Sequence, residues 1–269
     1  YRVAIPLVTA LPSGEAIVFG GNVGGITFDE KDAELFSPST NAWTSAGKMK
    51  NARIGGAAVY LASVDKVLVA GGYAGSATSP LSAAELWDVK TKKWADAAPM
   101  GTARTDLGFA LLASGKVLAF GGTGSTTSDP TLSTAEIYDP ATDKWTATGS
   151  MAQPRSIAAV AVLASGRVLV AGGTLKSGSG GFTGISSAEI FDPAAGTWAS
   201  AGSMSIARQL VGAAPIGPGS AIVVGGSDNF GNPKSTAEKF ALAADGTTCK
   251  SDGECGSGFC VDAVCCDTA

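Results

Sequence analysis

The sequence contains no histidine. This absence excludes Ser-His-Asp and Cys-His catalytic triads, histidine-ligated zinc, iron or copper, and an imidazole general base. P-loop, G-x-G-x-x-G and G-x-S-x-G motifs are missing as well, which removes the usual phosphate-binding loops and the nucleophile elbow of α/β-hydrolases. We therefore predict no catalytic residue, no cofactor and no metal ion for this chain.

Charged residues are scarce at 16% of the chain, and the formal net charge is −4. Lysines and arginines are scattered singly, so the sequence offers no basic patch for a phosphate backbone or an anionic lipid surface. No run of apolar residues reaches the roughly 18 that a membrane-spanning helix needs. We expect neither a nucleic-acid partner nor membrane insertion.

Glycine is abundant, with 37 residues, and glycine pairs recur at successive separations of 51, 50, 51 and 53 residues. The pairs are Gly20-Gly21, Gly71-Gly72, Gly121-Gly122, Gly172-Gly173 and Gly225-Gly226. An arginine, a glutamate, a tryptophan and a methionine recur at nearly the same step. A fixed period of this length indicates a repeat architecture. The predicted copies lie near residues 1–52, 53–103, 104–154, 155–207 and 208–243.

Each copy contains short apolar segments separated by turn residues. In the fourth copy, the segment from Ile157 to Leu163, a turn, and the segment from Arg167 to Ala171 predict a hairpin. A Gly/Ser/Thr-rich loop of about a dozen residues follows, and then two more strands that end near Trp198. Four strands per copy without helical periodicity predict antiparallel sheets that must stack on one another, and a radial stack of such sheets is a β-propeller.

The repeated motifs are an arginine before the first strand, a glycine pair after the second, and Ala-Glu-Ile-aromatic-Asp-Pro followed by tryptophan. The clearest examples are TAEIYDPATDKW, ending at Trp145, and SAEIFDPAAGTW, ending at Trp198. This set resembles the kelch repeat, which implies an all-β, kelch-type β-propeller of five four-stranded blades over residues 1–243. The fifth copy keeps Glu238 but lacks the following tryptophan. Either its blade is imperfect or sequence upstream of Tyr1 has been removed, and we expect five blades.

Residues that occur in every copy are expected to serve the scaffold. We predict that each repeat arginine pairs with a glutamate inside its own blade, because such a pair satisfies both charges and fixes strand register. The repeated tryptophans and methionines are interpreted as packing between blades. The arginines and glutamates are Arg2, Arg53, Arg104, Arg155, Arg208, Glu34, Glu85, Glu136, Glu189 and Glu238.

Residues that differ between copies are the candidates for ligand binding, since the scaffold uses the shared ones. Kelch topology implies that the loops after the glycine pairs, and the residues just after the arginines, surround one mouth of a central channel. Their hydroxyl, amide, carboxylate and aromatic groups suit recognition of a glycan or a protein ligand. The candidate ligand-binding residues are Asn22, Tyr73, Asp106, Thr123, Thr174, Lys176, Gln209, Ser227, Asp228, Asn229 and Phe230.

We interpret the chain as a secreted or cell-surface binding or adhesion module. One alternative is a carbohydrate-active enzyme, a mutarotase or lyase-like propeller that uses Asp106 or Asp228 with an arginine. Another alternative is a structural spacer in a larger surface protein. The kelch-fold copper oxidases need two histidines at their metal site, so this chain does not resemble them in function.

All five cysteines lie in the last 21 residues, in a Gly/Ser/Asp-rich tail over residues 244–269. So short a segment needs cross-links to fold, and zinc is disfavoured because the tail has no C-x-x-C pair and no histidine. The tail resembles the Cys-rich modules that follow kelch repeats in secreted bacterial surface proteins, which implies a longer chain. The predicted disulfide cysteines are Cys249, Cys255, Cys260, Cys265 and Cys266.

Five cysteines predict two disulfides and one unpaired thiol in this chain, without structural zinc. Intact-mass measurement before and after reduction is expected to show the mass gained when two disulfides are reduced. A thiol titration of the unfolded, unreduced chain is expected to detect a single thiol. Five thiols before reduction, or a stoichiometric bound metal ion, would contradict the disulfide interpretation.

Overall fold

A computed structural model describes residues 6–21, 31–74, 79–124, 131–176, 181–217, 219–229 and 231–242, and the backbone of residues 259–261 and 264–266. The regular structure in these ranges is β-strand, and none of them contains a helix long and apolar enough to cross a membrane. The strands in chain order are β1 (Leu7–Ala10), β2 (Ala16–Phe19), β3 (Asp32–Ser37), β4 (Ala42–Lys48), β5 (Ile54–Leu61), β6 (Lys66–Tyr73), β7 (Ala84–Asp88), β8 (Lys93–Ala97), β9 (Gly108–Leu111), β10 (Val117–Phe120), β11 (Ala135–Asp139), β12 (Lys144–Thr148), β13 (Ala159–Val162), β14 (Val168–Ala171), β15 (Thr174–Lys176), β16 (Phe182–Asp192), β17 (Thr197–Arg208), β18 (Gly212–Gly217), β19 (Ser220–Val224), β20 (Ala237–Ala241), β21 (Phe259–Val261) and β22 (Val264–Cys266).

The strands form sheets that follow the repeats. The first sheet has the order β1-β2-β3-β4, the second β5-β6-β7-β8 and the third β9-β10-β11-β12. In these three sheets each strand is hydrogen-bonded to the next one along the chain, so each sheet is a meander. The prediction of an all-β chain with four-stranded sheets of the kelch blade type is confirmed for these copies.

The chain divides into two units. The first comprises Tyr1–Asp129 and Glu136–Thr146, and the second comprises Pro130–Ala135 and Ala147–Ala269. The first unit holds the first two sheets and most of the third, whereas the second unit holds the fourth and fifth sheets. The fourth sheet has five strands, in the order β13-β14-β16-β15, with β17 also paired to β16.

The second strands of the second, third and fourth sheets are buried along most or all of their length. Strand β6 is buried along nearly its whole length, and β10 and β14 are buried throughout. Side chains alternate between the two faces of a strand. Val67 and Val69 of β6 therefore join an apolar cluster with the first sheet, while Leu68 and Ala70 join a cluster with the third sheet. Coverage of both faces explains why these strands are continuously apolar.

The repeat tryptophans on the fourth strands connect neighbouring sheets. In three of the four, the indole Nε1 donates a hydrogen bond to a backbone carbonyl at the end of the preceding copy, and the predicted packing between blades is confirmed at these positions. The pairs are Trp94 with Ala46 at 3.0 Å, Trp145 with Ala98 at 2.8 Å, and Trp198 with Gly149 at 2.9 Å. Trp43 of the first copy is instead 52% exposed, so the prediction is not met there.

The loop after the fourth glycine pair differs from the irregular segment predicted for it. Strand β15 pairs with the beginning of β16, so that Thr174 lies opposite Gly184 and Lys176 opposite Phe182. Strand β16 consequently begins at Phe182 rather than near Ser187. Pairing satisfies backbone N–H and C=O groups that a long loop would otherwise have to leave to water.

The fifth sheet has three strands in the described residues, in the order β18-β19-β20. The expected loss of its outermost strand agrees with this arrangement. Its first strand is mostly exposed, with Ile216 at 52% relative exposure, and Val224 of β19 is 42% exposed. The fourth and fifth sheets share a core cluster that includes Ala159, Leu169 and Val223.

The tail contains one described hairpin, in which β21 pairs with β22. Cys260 lies opposite Cys265 in the backbone register. Cys249 and Cys255 lie outside the described residues, so the disulfides stay a prediction, as does the domain boundary at residue 243.

We expect Ala159→Leu to destabilise the protein by about 1–3 kcal/mol, because extra methylenes in a filled core force side chains off their rotamers. Ala159 is buried between the fourth and fifth sheets. Thermal and urea unfolding measure the effect. The matched control is Ala214→Leu at an exposed strand position of β18, which should leave the midpoint almost unchanged. Equal losses for the two variants would contradict this placement of the core.

Candidate functional site

Each repeat arginine holds three parts of its own sheet together. The Nη1 of Arg53 donates to the carbonyls of Gly71 at 2.7 Å and Ala83 at 2.8 Å, and its Nη2 donates to Glu85 Oε1 at 2.8 Å. The later copies repeat the ion pair. The pairs are Arg104–Glu136 at 3.0 Å, Arg155–Glu189 at 2.7 Å and Arg208–Glu238 at 3.1 Å. The predicted pairing is therefore confirmed in four copies, while Arg2 lies outside the described residues.

The glutamates also bind the chain that leads into the arginine. Glu85 accepts hydrogen bonds from the backbone N–H groups of Lys50 at 2.7 Å and Asn51 at 3.2 Å. Burial lowers the pKa of the Arg53 guanidinium, and its hydrogen bond to Glu85 opposes that shift. Arginine stays protonated nevertheless, because its ordinary pKa lies far above neutrality. The two Nη atoms of Arg53 thus make three hydrogen bonds, while its buried Nε makes none with the described residues.

The glycine pairs link each copy to the next one. The N–H of Gly72 donates to the carbonyl of Arg104 at 2.8 Å, and Gly173 makes the same bond to Arg208. A Cβ on Gly71 would lie 2.7 Å from the Arg104 carbonyl oxygen, and Gly71 has a φ of +69°. Glycine is required here because a side chain would block this close approach.

The residue after each arginine pairs with the residue after the glycine pair of the same copy. Thr105 and Thr123 exchange two backbone hydrogen bonds, of 3.0 and 2.8 Å. Arg104 immediately precedes Thr105, and its Nη1 donates a hydrogen bond to the carbonyl of Gly121, which lies two residues before Thr123. The buried arginine thus holds both members of the pair from behind. We call these four pairs the rim pairs. They are Ile54–Tyr73, Thr105–Thr123, Ser156–Thr174 and Gln209–Ser227.

The second residue after each arginine has a left-handed backbone conformation. The φ angles are +66° at Gly55, +55° at Asp106, +47° at Ile157 and +53° at Leu210. Such a φ is most unfavourable for a β-branched residue and costs on the order of 1–2 kcal/mol for most side chains, whereas glycine, and to a lesser degree asparagine and aspartate, tolerate it. The rim therefore keeps one backbone geometry in four copies, even where the side chain opposes it.

Three of the predicted ligand-binding residues are described in the first unit. Tyr73 and Thr123 are half-buried members of the rim pairs. Asp106 is half-buried, and its N–H donates to the carbonyl of Gly55 at 2.6 Å. A Cβ on Gly55 would lie 2.6 Å from the carboxylate of Asp106. Asp106 thus joins two neighbouring copies at the rim.

In the fourth copy, Thr174 differs from expectation because it is fully buried. Its hydroxyl lies 2.8 Å from that of Ser156, which is also buried. A ligand cannot reach this hydroxyl from the surface. The backbone N–H of Lys176 donates to Thr131 Oγ1 at 2.8 Å, and its side chain is half-buried.

In the fifth copy, Asp228 stabilises its own loop. Its carboxylate accepts hydrogen bonds from Lys234 Nζ at 2.6 Å and from the backbone N–H of Asn232 at 3.0 Å. Asn229 accepts a hydrogen bond from the N–H of Gly184 in the preceding copy. Gln209 Nε2 donates to the carbonyl of Asp228 at 3.2 Å. These hydrogen bonds hold the loop in place, so the side chains of Asp228 and Asn229 have a structural role.

The described part of the chain brings Gln209, Ser227, Asp228 and Asn229 together in one loop region. Asn22 and Phe230 lie outside the described residues. Leu210 was missed by the sequence reasoning, although its side chain is 57% exposed beside the rim pair of the fifth copy. The sequence did contain a signal for this position. Leu210 is the second residue after its repeat arginine, as are Gly55 and Asp106, and glycine and aspartate are residue types that tolerate a left-handed backbone. In the described residues, no group of three acidic or cysteine side chains is arranged to hold a metal ion.

A family model described as Kelch motif matches residues 65–101 and 112–152. An F-box/kelch-repeat protein of Arabidopsis thaliana is 29% identical over 156 residues, which cover 54% of this chain and 38% of that protein. A kelch repeat-containing protein of Caenorhabditis elegans is 32% identical over 50% of this chain and 22% of its own length. Kelch-like protein 25 of Xenopus tropicalis is 28% identical over 77% of this chain and 33% of its own length. The matches thus span less than two fifths of each relative.

We expect Arg104→Ala to destabilise the protein by about 3–5 kcal/mol, because the change leaves the buried Glu136 carboxylate without its counter-ion. Glu136→Ala should cost a similar amount for the converse reason. Chemical unfolding measures both losses. Lys50→Ala is the control, because its 2.7 Å ion pair with Asp96 has side chains that are 68% and 62% exposed, and it should have little effect. A loss from Lys50→Ala as large as that from Arg104→Ala would refute the role given to burial.

Proposed function

Because this chain is a kelch-repeat protein, we propose that it is a protein-interaction module whose rim pairs and adjoining residues contact the ligand. Kelch-repeat proteins generally mediate protein–protein interactions. The observation that supports this assignment is the rim itself, where one backbone geometry carries different side chains in different copies. In repeat proteins the positions that vary over a constant scaffold are those available for recognition.

The second unit offers the clearest contact residues. Leu210 presents a largely exposed aliphatic side chain on a strained backbone, and Lys176 adds a half-buried side chain with a positive charge. Gln209 and Ser227, the rim pair beside Leu210, provide an amide and a hydroxyl group. An apolar anchor with polar neighbours is typical of a protein-binding surface. We therefore assign Leu210 as the principal contact.

The proposal also covers where the protein acts and which second class of ligand it could bind. A disulfide-containing tail would require an oxidising compartment, so we propose a secreted or cell-surface protein that acts in adhesion. A glycan is the second ligand class that hydroxyl and amide groups at the rim suit. The enzyme alternative draws no support from Asp228, since that carboxylate is engaged by Lys234 and Asn232 within its own loop.

The proposal is tested by selecting a displayed library of random peptides on the intact chain and measuring enriched peptides against variants. Leu210→Asp should weaken binding at least tenfold, which corresponds to about 1.4 kcal/mol. Lys176→Glu should weaken it as well, and this change leaves the backbone bond of Lys176 to Thr131 in place. Titration by calorimetry or fluorescence anisotropy measures the affinities.

The control variant is Ile216→Asp, because Ile216 matches Leu210 as an exposed aliphatic residue but lies on β18, away from the rim pairs. It should bind the selected peptides with unchanged affinity. Selected peptides that bind Leu210→Asp and Lys176→Glu as tightly as the original chain would exclude the rim as the contact surface. Unfolding curves of all variants confirm that the fold is kept.

A further inference from the structure

A cavity of about 60 Å³ lies between the fourth and fifth sheets. On the side of the fourth sheet its apolar lining includes three alanines, Ala171 of β14, Ala188 of β16 and Ala201 of β17. On the side of the fifth sheet it is lined by Val223 of β19 and Phe240 of β20. Protein interiors contain few voids larger than a water molecule, so a cavity of this size between two packed sheets requires an explanation.

The same three alanine positions occur in the second sheet, where aromatic side chains pack over them. Tyr138 and Trp145 of the third sheet belong to one core cluster with these alanines, and their ring centroids are 5.1 Å apart. The alanines that correspond to those of the cavity are Ala70, Ala84 and Ala97. A surface of this composition therefore accommodates a pair of aromatic rings, and the fifth sheet supplies one ring, that of Phe240.

The second ring is missing because the fifth copy has no tryptophan at the repeat position. In the first four copies a tryptophan stands seven residues after the aromatic residue of the third strand, whereas Thr247 stands seven residues after Phe240. All five tryptophans of the sequence lie in the described ranges, and none of them lines this cavity. The indole groups of this sequence are thus all placed elsewhere.

The groups around the cavity are more exposed than their counterparts in other copies. Met204 lines the cavity and is half-buried, whereas the other three repeat methionines are almost completely buried. Glu238 also lines it, and its side chain is 24% exposed against 1% for Glu85. The repeat tryptophan covers such groups in the other copies, so these exposures agree with an unfilled aromatic position.

A hydrogen-bond acceptor for an indole stands at the equivalent place. Trp94 donates its indole N–H to the carbonyl of Ala46 at 3.0 Å, and Ala201 has the same position in the fourth copy. The glycines that follow, Gly47 and Gly202, have φ angles of +81° and +82°. A Cβ on Gly47 would lie 3.5 Å from the indole of Trp94, whereas a Cβ on Gly202 would have no described atom within 4 Å.

We propose that this cavity is a binding site for a small aromatic ligand of the indole class. The ring system lies on the alanine surface and against Phe240, and its ring N–H donates a hydrogen bond to the carbonyl of Ala201. Apolar cavities of this kind bind aromatic molecules, and a single polar contact fixes the orientation of the ligand. The volume suits part of one ring system rather than a peptide. No rim-pair residue lines the cavity.

The methionines allow a test on the unaltered protein. The chain has four methionines, Met49, Met100, Met151 and Met204, and Met204 is the one that lines the cavity. Labelling of their methyl groups with ¹³C gives four resonances, which Met→Leu substitutions assign. Titration with indole should shift the Met204 resonance saturably and leave the other three unchanged, so that these three serve as internal controls.

Ligand analogues test the proposed hydrogen bond. Benzofuran has nearly the shape of indole but an oxygen atom in place of the ring N–H, so it should bind at least fivefold more weakly. Equal affinities of the two compounds would exclude the bond to Ala201. Tighter binding of N-acetyl-tryptophanamide than of indole would assign the cavity to a tryptophan side chain of another polypeptide and would overturn the small-ligand proposal.

Protein variants test the location of the site. Ala201→Leu fills the cavity and should weaken indole binding at least tenfold, whereas the control Ala214→Leu, at an exposed position of β18, should have no effect. Leu210→Asp should also leave indole binding unchanged, so failure at the rim and failure at the cavity are distinguishable. Absence of a saturable Met204 shift, equal shifts of all four methionines, or unchanged binding to Ala201→Leu would each overturn the proposal.

Discussion

The buried arginine–glutamate clamp is the interaction on which each copy depends. A guanidinium group bonds to two carbonyls of its sheet and to a carboxylate, and the carboxylate in turn bonds to the chain that enters the copy. Removing two charges from water is expensive unless nearly every lone pair and proton finds a partner. The clamp meets that condition for the Nη atoms and the carboxylate, although the buried Nε of Arg53 makes no hydrogen bond to the described residues. The clamp fixes the first strand, the glycine pair and the third strand in one arrangement.

The clamp also explains why the rim can vary. Each rim pair lies between an arginine and a glycine pair that the clamp already holds, so its side chains are not needed to define the backbone. Ile157 and Leu210 illustrate the consequence, because both adopt a left-handed φ that their side chains disfavour. The scaffold imposes the conformation, and the copies are left with different chemical groups at equivalent places.

The fifth sheet shows how much a fourth strand contributes. Phe191 of the fourth copy is fully buried beneath Trp198, whereas Phe240 at the equivalent position is only half-buried. The fifth sheet thus differs from the others by its three described strands and by Lys239, which stands where Leu35, Leu86 and Ile190 stand in other copies.

The sequence by itself determined the sheets, the arginine–glutamate pairs and the contacts of the repeat tryptophans, because each depends on a pattern that several copies repeat. It also located the rim positions. Only the tertiary structure decided that Thr174 is buried against Ser156, that Asp228 is engaged by Lys234, and that Leu210 is exposed. Each of these outcomes depends on a contact or an exposure that occurs in one copy only. A repeated sequence pattern carries no information about a feature that is not repeated.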